Sequence, residues 1–189
     1  MPREARLIPD TGYLHVISRG NNRRKVFLYD RDKRKYYGYL MQCKREDKIE
    51  ICHYCIMDNH IHLIVSIDTQ SDLSRFMKRL NLKYAHFYHR NYNYAGHLWQ
   101  DRFKSKIIST DEYLLQCGKY IELNPVRAGK VKLPEEYKFS SYHFYAFGTK
   151  DPLITEDPLY QILGKTAEKR QIIYRQIVID ELNYNYTIQ

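Results

Sequence analysis

With 189 residues, 43% of them hydrophobic and 28% charged, the chain suits one compact domain or a domain with a short appendage, and its profile excludes a disordered chain. No run approaches the roughly 18 apolar residues of a membrane span, and Met1–Asp10 lacks the apolar stretch of a signal peptide. The expectation is therefore a cytoplasmic protein with no membrane partner, its four cysteines (Cys43, Cys52, Cys55, Cys117) reduced.

The net charge of +9 is uneven: residues 1–50 carry +6, residues 51–110 carry +4 and residues 111–189 carry −1. Such an excess in the first 110 residues argues for a surface that faces a polyanion, although a solvated basic surface accounts for the same numbers. The nineteen tyrosines add a second signal, since several sit beside cations, as in Lys35-Tyr36-Tyr37 and Tyr88-His89-Arg90-Asn91-Tyr92. Aromatic faces beside cations suit unpaired bases, while most of the tyrosines are expected to be ordinary core and sheet filler.

Tyr13–Arg19 reads as a strand bounded by Gly20-Asn21-Asn22, and Arg31–Asp47 as a charged helix. Ile49–Met57 and His60–Ile67 are β-rich runs separated by Asp58-Asn59, a pair suited to a hairpin turn. Ser71–Asn93 carries the clearest helical stripe (Leu73, Phe76, Met77, Leu80, Tyr84, Phe87, Tyr88), with Arg75, Arg79, Lys83, His86 and Arg90 on its other side. A fourth strand is expected over Arg102–Ile108, and Ser109-Thr110-Asp111-Glu112 opens a helix expected to finish near Pro125. This order predicts an α+β fold: a ferredoxin-like (βαββαβ) antiparallel sheet, an added helix, and a C-terminal helical extension with one helix near Lys165–Leu182. Residues 1–130 are read as the functional domain and residues 131–189 as an extension packed on it.

His60-Ile61-His62 is the first site signal. In a strand, Ile61, Leu63, Val65 and Ile67 make one apolar face and leave both histidines on the other, where two imidazoles can converge on one divalent cation. The second is Tyr120-Ile121-Glu122-Leu123-Asn124. If Leu114, Gly118 and Ile121 form the packed stripe, Tyr120 points about 110° away from it, and Asn124 lies on the same side one turn on. Asn124 precedes Pro125, which disfavours helical geometry there. A metal site, an off-stripe tyrosine and a basic half-molecule together suggest phosphodiester chemistry: a cation polarises the phosphate while a tyrosine oxygen attacks in line. A phenol is a weak nucleophile at neutral pH, so the cation or a nearby base must activate it.

Four ordered blocks, His15–Arg23, Met57–Val65, Gly96–Ser105 and Tyr120–Gly129, resemble the REP-associated tyrosine transposases, relatives of the single-tyrosine HUH insertion-sequence transposases. The likeness runs from about Gly12 to Phe147 and includes Ser140-Ser141-Tyr142. It implies cleavage and rejoining of single-stranded DNA through a 5′-phosphotyrosine, leaving a free 3′-hydroxyl, with Mg²⁺ or Mn²⁺. By the same resemblance, His60 and His62 match the metal histidines and Tyr120 the nucleophile. Asn124 stands where the insertion-sequence relatives have a glutamine ligand, one methylene longer. The implied partner is single-stranded or hairpin DNA, bound by a monomer or a homodimer. Charge and position, rather than the family, nominate Arg19, Asn21, Asn22, Arg23, Arg24, Arg75, Arg79, Lys83 and Arg102 as contacts to the DNA backbone.

Three other readings stay open. Cys55 pairs across from His62 if Asp58-Asn59 is the turn, which allows a Cys55–His60–His62 zinc site, whereas Cys52 and Cys55, three apart in a strand, are expected on opposite faces. His15 is either a group that supports the metal histidines from behind or a structural histidine. A binding module that holds hairpin DNA without cutting it, or a hydrolase with no covalent intermediate, would share much of this sequence.

Overall fold

The computed structural model describes residues 12–68 and 70–187, with the side chains of residues 70–72, 112 and 184–187 outside that description; Met1–Asp10 therefore lies outside the described residues. Four strands form one antiparallel sheet in the order β2-β3-β1-β4, where β1 is Gly12–Arg19, β2 Glu50–Ile56, β3 His60–Ile67 and β4 Lys104–Ile108. Helices α1 (Asp30–Asp47) and α2 (Gln70–Tyr92) join β1 to β2 and β3 to β4, which gives the βαββαβ order expected for a ferredoxin-like sheet. Leu14, Val16, Ile61, Leu63 and Val65 alternate along β1 and β3 and bury one sheet face under α1 and α2, with Tyr36, Leu40, Phe76, Leu80 and Tyr84.

The opposite sheet face is covered by α3 (Asp111–Arg127), through Leu114, Cys117 and Ile121 packed on Cys52, Cys55 and Ile64. Thr110 caps α3 by accepting a hydrogen bond from the Tyr113 backbone N–H at 3.2 Å. The helix does not stop at Pro125 but runs two residues past it. Proline cannot donate to the Ile121 carbonyl; the Asn124 amide leans back over the same turn and donates to Tyr120 O at 2.8 Å and Ile121 O at 3.5 Å. The fourth strand also begins later than expected, at Lys104 rather than Arg102. Residues 98–100 are first used to close the end of β1, through Asn21 N–H to Leu98 O and Gln100 N–H to Arg19 O, each at 2.9 Å.

A bulge in the β2–β3 pairing between Ile51 and His53 corrects another expectation. The extra residue shifts the alternation, so Cys52 and Cys55 enter the same core under α3 although they lie three apart. The C-terminal segment adds α4 (Tyr142–Phe147), α5 (Pro158–Ile162) and α6 (Ala167–Thr187). Tyr142, Tyr145, Tyr160, Tyr174 and Val178 bury against Leu123 and Val126, so this segment packs directly on the helix that carries Tyr120. Among the described residues no helix is long and apolar enough to cross a membrane.

Candidate active site

The β2–β3 hairpin turns through Asp58-Asn59, with Met57 N–H donating to His60 O at 2.9 Å. The turn is pinned by ion pairs from Asp58 to Lys33 at 2.8 Å and to Lys130 at 2.5 Å. His60 and His62 follow on β3, their ring centroids 4.8 Å apart and their planes at 81°. Each has its Nδ1 occupied. Asn59 donates its side-chain N–H to Arg23 O at 3.1 Å, which turns its Oδ1 to accept from His60 Nδ1 at 2.5 Å. His62 Nδ1 lies 2.9 Å from His15 Nε2.

Electrostatics decides the protonation states. Burial lowers His60 to about 4, helped by the positive charge of Arg19 and opposed by Asp58. His62 is driven well below its ordinary value by burial first, then by His60, His15 and Arg19. Burial and Lys106 hold His15 at about 4. All three rings are neutral at pH 7. For two neutral rings, the arrangement in which His62 Nδ1–H donates to His15 Nε2 leaves His62 Nε2 as a lone-pair donor, and the bond to Asn59 does the same for His60. Two neutral imidazoles with uncommitted Nε2 atoms fit a divalent cation, and the Asn124 amide nitrogen is taken up by its own helix, which leaves the Oδ1 as that side chain's free polar atom. The zinc alternative fares worse: Cys55 is fully buried, its thiol pushed up by that burial. Among the described residues no group of three or more His, Cys, Asp or Glu side chains is placed to hold a metal.

Tyr120 projects from α3 over this cluster. Its ring centroid is 5.9 Å from that of His62 and 6.2 Å from that of His15, and it is 45% exposed, so the phenol is open to a ligand. It lines a cavity of about 410 Å³ with His15, Tyr113, Cys117 and Arg127. The Arg127 guanidinium lies 5.0 Å from the Tyr120 ring centroid, and Glu181 of α6 holds it at 3.0 Å. The charge excess and the sequence pattern gave no sign of Arg127 or of Asn59 as an orienting acceptor; both roles depend on partners brought in by the fold.

The other nominated residues separate into two groups. Arg19, exposed, stands opposite His60 in the β1–β3 register, and Asn21, Asn22, Arg23 and Arg24 form the turn that follows it. Asn22 and Arg23 hold positive φ, and Gly20 is required there because a Cβ would lie 2.5 Å from Arg24 O. Arg102 is exposed in the bend before β4. Of these, Arg19 acts on both histidines and Arg23 O holds the Asn59 that orients His60, while the Arg24 guanidinium stacks 4.3 Å from the Tyr94 ring centroid beyond α2. Arg75 and Arg79 belong to the second group: Arg75 pairs with Asp47 at 2.7 Å, and Arg79 pairs with Glu46 and Asp47. Lys83, further along α2, opens instead onto a separate groove.

A second histidine, His53 on β2, is buried between Glu122 and Asp157. Its Nδ1 lies 3.0 Å from Glu122 Oε1 and its Nε2 3.2 Å from Asp157 Oδ2. Burial alone would lower its pKa, but the two carboxylates raise it to about 9, so it is a cation at pH 7. Glu122 also accepts from Ser141 Oγ at 2.6 Å and from the Tyr174 hydroxyl at 2.8 Å. Gly118 makes room for the ring, since a Cβ there would sit 2.8 Å from it.

The family described as Transposase IS200 like matches residues 10–124. A candidate REP-associated tyrosine transposase of Haemophilus influenzae is 27% identical over 135 residues, 62% of this chain and 77% of that protein. The REP-associated tyrosine transposase of Escherichia coli K12 is 25% identical over 107 residues, 55% of this chain and 61% of that protein. A solved structure of a REP-associated tyrosine transposase bound to a REP hairpin covers 83% of this chain and 93% of its own, with TM-score 0.68 and 23% identity, and shares the fold.

Proposed function

The chain belongs to the family of IS200-like transposases, and on that premise we propose that it cuts and rejoins single-stranded DNA through Tyr120, acting on hairpin-forming repeats in the cytoplasm. The observation that carries this reading is the seat of Tyr120: an exposed phenol 5.9 Å, ring to ring, from a histidine kept neutral with its Nε2 uncommitted.

His60, His62 and Asn124 would hold Mg²⁺ or Mn²⁺, which when bound polarises the scissile phosphate and stabilises charge developing on it. Tyr120 Oη attacks the phosphorus and gives up its proton to water at the exposed phenol. The bond to the 3′ oxygen breaks, that oxygen takes up a proton, and the strand is left with a 3′-hydroxyl and a 5′-phosphotyrosine. Attack of a 3′-hydroxyl on the phosphotyrosine reverses the step and joins strands, which a hydrolytic nuclease cannot do. Arg127 offers positive charge beside both phenol and phosphate, and its pairing with Glu181 limits its wandering. The Arg19–Arg24 turn and Arg102 would hold the DNA backbone beside the histidines.

The test is covalent capture. Protein incubated with Mn²⁺ and labelled single-stranded hairpin oligonucleotides should yield an adduct that survives denaturation, and Tyr120→Phe should yield none. Nanomolar hairpin binding with no adduct across many substrates would favour a non-catalytic binder, and cleavage that persists in Tyr120→Phe would favour a hydrolase.

A further inference from the structure

α1 and α2 cover the sheet face opposite to Tyr120, and between their outer sides lies a groove of about 590 Å³. Arg31, Lys35 and Tyr39 descend one side of α1 at four-residue spacing. Lys83, His86, Phe87 and Arg90 face them from α2 at three- and four-residue spacing. Among the described residues no acidic side chain lines the groove. Of the nearby acids, Asp32 is buried, bonded to the Tyr92 hydroxyl and 3.9 Å from the Arg31 guanidinium, so Arg31 is partly neutralised, while Glu46 and Asp47 pair with Arg75 and Arg79. Lys35 and Arg90 have no ion-pair partner among the described residues, and Lys83 has only a longer-range attraction to Glu46. The positive charge left in excess on this helix pair suits an anion.

We propose that this groove is a second nucleic-acid site, one that tracks the phosphate backbone of a hairpin stem and does not read its bases. The aromatic residues argue for phosphate rather than base: the Lys35 ammonium lies 5.1 Å from the Tyr39 ring centroid and 5.9 Å from that of Phe87, so a cation already rests against both rings. The stripe from Arg31 to Tyr39 spans about 12 Å at 1.5 Å per residue, room for about two successive phosphates of one duplex strand. The strand being cut lies on the other side of the sheet, so the groove would hold a different part of the same substrate. The proposal rests on the reading above only in taking DNA as the ligand, not in the chemistry of Tyr120.

Fluorescence anisotropy of a labelled DNA hairpin between 50 and 200 mM NaCl tests it, with helical content and thermal unfolding of each variant as fold controls. Lys83→Ala combined with Arg90→Ala should weaken binding about tenfold at low salt. It should also lower the log–log salt slope by about 1.8, the loss of two phosphate contacts. Two hairpins with unrelated stem sequences should lose affinity equally, and the charge-preserving pair Lys83→Arg with Arg90→Lys should bind as wild type. Unchanged affinity and slope would overturn the assignment, as would a loss confined to one stem sequence. Anionic vesicles retained by wild type and released by the double variant, with hairpin affinity intact, would move the groove to a membrane surface and overturn it as well. The Tyr120 reading is scored separately by adduct formation on a stemless oligonucleotide, which the double variant should support at the wild-type level.

Discussion

Two histidine centres share one sheet face and have opposite electrostatic characters. His53 is enclosed by Glu122 and Asp157 and raised to about 9; His60 and His15 are held at about 4, and among the described residues no carboxylate bonds either ring, Asp58 acting on His60 only from a distance. Burial acts in the same direction on all of them. Carboxylate contact separates the outcomes: two acids turn one buried imidazole into a fixed cation, while Arg19 and Lys106 keep the others as neutral lone-pair donors. The first centre ties α3 to α4, α5 and α6; the second presents nitrogen atoms to the cavity edge beneath Tyr120.

The contrast can be broken at either centre. The largest effect is expected from His60→Ala or His62→Ala, each of which should cut strand cleavage by about a thousandfold or more, the scale of losing a transition-state charge stabiliser. Hairpin affinity should largely remain, because basic residues elsewhere carry it. Equal loss of both in a folded variant would merge roles that are separated here.

At the other centre, Glu122→Ala should cost about 3–5 kcal/mol of stability by leaving His53 buried without one partner, read as a lowered unfolding midpoint. The pH dependence carries a sign. A histidine raised from 6.5 to about 9 contributes stability that is full below pH 6.5 and fades as pH climbs through about 9. Thermal unfolding from pH 6 to 10 should show that decline in wild type, and His53→Gln should flatten it. The smallest effect is expected at His15: without its ring nitrogen, His15→Phe should weaken Mn²⁺ affinity of the DNA-free protein about 10- to 100-fold, measured by calorimetric titration. An unchanged affinity would remove His15 from the set that orients His62.

Much of this was readable one residue at a time. Strand alternation put His60 and His62 on one face, the Asp58-Asn59 turn set the hairpin, and the packed stripe through Leu114 and Ile121 left Tyr120 outside. Local periodicity suffices for such features because each depends on neighbours within a turn or two. What escaped depends on partners far along the chain. His53 meets Glu122 69 residues away and Asp157 104 away. Arg75 and Arg79 looked like free cations on a basic helix face, but the packing of α2 on α1 delivers Asp47 and Glu46 to them. The bulge at Cys52 inverted a facing argument that assumed unbroken pleating. The run of α3 through Pro125 escaped because a single side chain, Asn124, covers the carbonyls of that turn.

Glu122 sits two residues beyond Tyr120 on the same helix, gripped by groups from three other segments. For the phenol to roll sideways, α3 would have to twist and shear those hydrogen bonds in the dry interior. The nucleophile's bearing is thus set from behind, like a compass needle on a jewelled pivot, and the tail of the chain supplies part of that pivot.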